Sequence, residues 1–161
     1  MGKHTLEIEY DYDFVLIGIS SHEKDYRICW ALNNKFGIEL VKAESLEIKG
    51  KKQETPSFFS LFTFEDAEAF TDYAVVANRS ETKLSAEKEH SLFGTSESKR
   101  DDQNEILVPE HKQMNYFFVI KGELEEEAIS ELLKKIKELE IVLTAIRIDV
   151  SQMKSKHNLI F

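Results

Sequence analysis

The chain has 161 residues, 42% of them hydrophobic, with eleven Phe, one Cys and a net charge of −9. That length suits a single domain, 1–161, large enough to bury about 68–70% of its unfolded surface without a disulfide or metal staple. The acidic balance argues against direct nucleic-acid binding, which needs a basic surface; lone Cys29 excludes an internal disulfide or a four-cysteine zinc site and fits a reducing compartment.

In chain order, Leu6, Ile8, Tyr10, Tyr12 and Phe14 alternate with acidic residues, a period-2 strand pattern bent near Asp11-Tyr12-Asp13. Val15 to Ile19 continues it as a buried strand. Ser20 and Glu23 have capping-box spacing, so a helix is predicted from about His22 to Phe36, with Gly37 as its left-handed stop. A strand is predicted over 38–48, a turn over 49–54, and a hairpin over 58–77 from Phe58–Phe64 and Phe70–Ala77. Residues 79–105 turn to Ser, Thr, Glu and Lys, and read as a long polar loop or partly disordered excursion. Ile106–Glu110 is a short extended piece, and Met114–Ile120 a strand. The clearest helix spans Glu123 to about Glu140: Ile129, Leu132, Leu133 and Ile136 share one face, acids crowd its start and lysines its end. Val142–Val150 is the last strand.

This order predicts an α+β fold: a largely antiparallel sheet with two helices packed on one face, an enlarged ferredoxin-like β-α-β-β-α-β core. No apolar stretch approaches the ~20 residues of a membrane span, and the N-terminus lacks a signal-peptide pattern. A cytoplasmic protein is expected.

Val108-Pro109-Glu110, three residues, then Met114-Asn115-Tyr116 resembles the signature of the IPExxxVDY family, short bacterial proteins chiefly of Bacteroidota. Pro109, Glu110 and Tyr116 match literally; Val108, Met114 and Asn115 are conservative departures. Phe14–Ile19, the Tyr26–Asn33 helix and the Lys154–Phe161 terminus look like the same family. The resemblance implies a bacterial cytoplasmic protein and carries no activity over. Asn115 stands where the family has an acid, which removes any role needing a carboxylate there. Structurally, Pro109 suits a strand start, Glu110 is placed to accept backbone N–H bonds in its turn, and Tyr116 should bond through its hydroxyl.

No motif for catalysis stands out. Gly18 and Gly37 stand alone rather than in a phosphate loop, and no two of the five histidines fall within zinc-binding spacing. No metal or cofactor is expected. Gly18, Ser20 and Ser21 join strand to helix, where helix N–H groups can meet a small carboxylate ligand. The apolar tip Leu159, Ile160 and Phe161 either docks on a partner by strand addition or closes the protein's own body. Three functions follow: a non-catalytic interaction or accessory protein whose partner is a cytoplasmic protein or a second copy; a small-ligand regulatory domain of ferredoxin-like type; and an enzyme with a dispersed site, such as Cys29 with a remote His.

Overall fold

The computed structural model describes residues 13–50, 55–81 and 105–161. The strand predicted over Leu6–Tyr12 and most of the polar segment 79–105 lie outside them. Among the described residues the elements are β1 (Phe14–Ser20), α1 (Asp25–Phe36), β2 (Val41–Lys42), β3 (Leu46–Ile48), β4 (Ser57–Phe59), β5 (Leu61–Asp66), β6 (Thr71–Ala77), β7 (Tyr116–Lys121), α2 (Glu126–Lys137) and β8 (Thr144–Ile148), with 3-10 turns at Pro109–His111, where Pro109 opens a turn and not a strand, at Val150–Gln152 and at Lys156–Leu159.

Six strands form one sheet in the order β2-β5-β6-β7-β1-β8, every neighbour antiparallel, and β3 pairs with β4 in a separate hairpin. Within that order, β6-β7-β1-β8 holds two interleaved β-α-β units: β1-α1-β6 split by β7, and β7-α2-β8 split by β1. That is the ferredoxin-like arrangement. Residues 37–70 are inserted in the first unit. They widen the sheet by β5 and β2 and supply the β3–β4 hairpin.

Alternation along the strands sends side chains to two cores. Ile17, Ile19, Phe118 and Ile120 face one layer with Ile28, Cys29 and Leu32 of α1 and Ile136 of α2, so both helices lie on one face. Leu16, Phe117 and Val119 face the other, which is covered by Phe59, Leu46 and Ile48 of the hairpin, by Leu107, Val108 and Met114, and by Val150, Met153 and Leu159. Central β1 and β7 are buried on both faces, hence their near-continuous apolar runs.

Several predicted boundaries change. α1 begins at Asp25, because Ser20 is the last residue of β1 and Lys24 holds the N-cap position with no side-chain cap; the Ser20–Glu23 capping box does not form. Gly37 does end the helix, at φ 64°. The single strand predicted over 38–48 divides, since Asn33 takes both Leu40 N–H and Leu40 O and ties that stretch to α1. Phe58–Phe64 divides at Ser60, whose carbonyl accepts from Ala77 N. α2 is shorter than predicted: Leu124 already packs into the helix-side core before the first turn.

Candidate functional site

Gly18 leaves no hollow for a ligand. A Cβ there would stand 2.8 Å from Met114 Cγ and 2.9 Å from Ile148 Cδ1, so the missing side chain is the space that Met114 fills. The turn after β1 is equally occupied. Ser20 O accepts from Leu143 N at 2.9 Å. Ser21, itself buried, donates its N–H to Asn115 Oδ1 at 2.9 Å and its hydroxyl to Ile141 O, and accepts from Glu23 N at 3.1 Å. Tyr26 N is taken by Asp25 Oδ1 at 2.6 Å. An incoming carboxylate would have to displace Asp25 at the very N–H group that could attract it.

The segment carrying the family resemblance is tied to this turn. Tyr116 donates its hydroxyl to Glu23 O at 2.6 Å, as a buried tyrosine is expected to. Burial pushes that hydroxyl up to about 12, with Asp25, Cys29 and Glu23 adding to it. Asn115 accepts through its amide oxygen, a task that needs no carboxylate. Glu110 does accept backbone N–H groups, but from the C-terminal segment: Lys154 N and Ser155 N, each at 2.9 Å, with Ser155 Oγ at 2.8 Å. Slight burial pushes its carboxyl up, and a bond from its own backbone N–H together with these bonds outweighs that to hold it below the usual glutamate value.

Asn78 was not singled out from the sequence, yet it organises the segment. It is fully buried. Its Nδ2 donates to Met114 O at 2.8 Å and His111 O at 3.1 Å, its Oδ1 accepts from Val108 N at 2.8 Å, and its backbone pairs with Asn115 O and Leu107 N. The available signal was an amide closing an apolar strand, Val75-Val76-Ala77-Asn78; a buried amide must be bonded.

The apolar tip does not hang free. Leu159 is fully buried in the hairpin-side core, Phe161 packs partly against it, and Lys121 Nζ donates to Phe161 O at 2.9 Å. Leu159 closes the protein's own body, and Ile160 is the one member of the trio that faces solvent.

The constellation closest to chemistry sits at the start of α1. Ser60 Oγ donates to Asp25 and accepts from Lys42 Nζ at 2.6 Å; Lys42 also lies 3.8 Å from Asp25 and 3.5 Å from Glu81. Both the proton and a lone pair of the Ser60 hydroxyl are engaged within the cluster, and Ser60 is only 5% exposed. The cluster ties α1 to β2 and to the junction between β4 and β5. Beside it, burial pushes the Cys29 thiol up to about 12, Asp25 adding and Lys42 opposing. A thiol in that range supplies almost no thiolate near neutrality. A groove of about 400 Å³ runs between the start of β1 and the end of β8, but its charges are engaged: Arg147 grips Glu126 and Asp149 accepts from Ser151. Among the described residues, no group of three or more His, Cys, Asp or Glu is placed to hold a metal, and no helix is long and apolar enough to cross a membrane.

What α1 leaves in solvent is different in kind. Tyr26 and Trp30, one turn apart, are 57% and 70% exposed, while Ile28, Cys29 and Leu32 face the sheet. Arg27, between them in sequence, is held by Glu23 at 3.4 Å. Comparison with protein-family models, with curated proteins and with solved structures finds no match. The geometry of α1 and its surroundings is therefore the ground for a functional reading.

Proposed function

We propose that this chain is a non-catalytic accessory protein that binds another protein through the outer face of α1. The observation that carries it is the Tyr26–Trp30 pair, two large aromatic side chains one turn apart on the same helix, both facing water. Trp and Tyr dominate binding hot spots because they desolvate much area at little rotamer cost. The adjacent stripe of the same helix is tied down: Cys29 packs in the helix-side core, Asp25 accepts from Ser60 and Asn33 bonds Leu40. Against the small-ligand reading stand the filled space at Gly18, the consumed donors of Ser21 and the occupied carbonyl of Ser20. Against the cysteine-enzyme reading stands the thiol of Cys29. Residence in the cytoplasm belongs to the same proposal, supported by a lone buried cysteine. Kinship to the IPExxxVDY family is likewise proposed, on the residues of the Val108–Tyr116 segment.

A photo-cross-linking phenylalanine analogue at position 30, in the full chain inside the producing cells, tests it. A discrete adduct with one protein is expected, lost on Tyr26→Ala with the unfolding temperature unchanged. No adduct beyond that from an exposed control position, Glu140, would overturn it.

A further inference from the structure

The β5–β6 hairpin closes through Ala67–Phe70, and Phe70 is 88% exposed, the most exposed large apolar side chain described. Its backbone lies at φ 53°, the one positive φ outside glycine among the described residues. Glycine or asparagine is the undemanding choice there, and a bulky residue in that region is an outlier. The sequence thus holds an aromatic ring in water at a position that disfavours its backbone.

The tip is built stiffly. Asp66 Oδ1 accepts from Glu68 N at 3.2 Å and Ala69 N at 3.0 Å, and Thr71 Oγ1 donates to Ala69 O at 3.1 Å. Gly122 backs it so closely that a Cβ would stand 3.1 Å from Phe70 O. The ring is therefore presented by a supported turn. Glu65, Asp66, Glu68 and Asp72 flank it in sequence, with no Lys, Arg or His between 65 and 72, though Lys121 lies across the strand pair from Asp72.

From these observations we infer that Phe70 is an insertion anchor, seating in an apolar cleft of a partner protein whose rim carries Lys or Arg. The ring supplies the buried centre of such a contact, and the exposed carboxylates of Glu65 and Glu68 match a basic rim in charge. The same carboxylates weigh against the other uses of a protruding aromatic. An anionic bilayer surface and a phosphate backbone would both repel this tip, and a second copy would bring a chain of net charge −9 to another of the same charge. The tip lies at the Phe14 end of the sheet, since Asp72 pairs with Lys121 and Lys121 with Phe14, whereas α1 starts at the Ser20 end. The inference thus stands on a surface separate from the Tyr26–Trp30 face and does not depend on it.

Two measurements on the full chain test it. Phe70→Asn should leave the unfolding temperature unchanged or higher, because asparagine accepts a left-handed backbone; a clear fall would mean that the ring serves the fold, and would overturn the inference. With the photo-cross-linking phenylalanine analogue at position 70, irradiation in the producing cells should give one discrete adduct. The cross-linked partner peptide should carry Lys or Arg beside the site, and Glu65→Lys with Glu68→Lys should abolish the adduct where Glu140→Lys does not. No adduct, an adduct of twice the chain mass, attachment to lipid or nucleic acid, or indifference to the charge reversals would each overturn it. Since position 30 is probed separately, loss of one adduct leaves the other readable.

Discussion

Asn78 has bonds on every polar atom of its side chain, to Val108, His111 and Met114. Replacing it with alanine leaves Val108 N–H and Met114 O without their side-chain partner in the core, while His111 O keeps its bond from Met114 N. Asn78→Ala is expected to cost on the order of 3 kcal/mol, since each orphaned buried group costs about 1–3 kcal/mol; urea unfolding with an unchanged m-value checks it. Glu110 gives a signed pH effect. Its pKa is lowered in the folded state by its own backbone N–H and by Ser155 and Lys154, against slight burial, so its contribution is fully present above the ordinary glutamate value and is lost as pH falls through the lowered one. The difference in unfolding temperature between the wild type and Glu110→Gln should be largest near neutrality and close between about pH 5 and pH 3. At this scale the sequence was half legible. That Glu110 would accept backbone N–H groups, and that Tyr116 would bond through its hydroxyl, follow from what a carboxylate and a buried phenol require. Which groups answer them, 45 residues ahead for the N–H of Ser155 and 93 residues back for the carbonyl of Glu23, is set by the fold.

The helices and strands were legible where one face alone decides the pattern. α2 shows its apolar stripe directly, and Gly37 ends α1 as a glycine able to adopt the left-handed conformation should. Reading failed where side chains from distant elements interrupt an apolar run. Asn33 halts the stretch at Leu40, and Ser60 breaks the next run between β4 and β5. The tail was ambiguous, because an apolar tip after a basic spacer suits a partner as well as a core. Its placement predicts unequal roles for neighbouring residues. Leu159→Ala, at a fully buried position, should cost about 2–5 kcal/mol. Ile160→Ala should stay within about 0.5 kcal/mol. Chemical denaturation of the two variants, compared side by side, checks the contrast.

Over the whole molecule, the α+β class and the interleaved β-α-β plan were readable from element order. The second covering layer was not, because β3, β4 and the segments around 107–114 and 150–161 carry little periodicity of their own and gain their place by packing on Leu16, Phe117 and Val119. A sheet enclosed on both sides should protect its centre most. In native-state hydrogen exchange, amides of β1 and β7 are expected to exchange at the rate of global unfolding, and those of two-residue β2 far sooner. The strand order also sets a clock on biosynthesis. Leu16 finds its partner on one side at Val119 and on the other at Ile148, so neither neighbour of β1 exists until about a hundred more residues have left the ribosome. At ~5–20 residues per second, the run Phe14–Ile19 waits roughly 5–20 s without a strand beside it, and it is in that interval that this protein has most need of a chaperone.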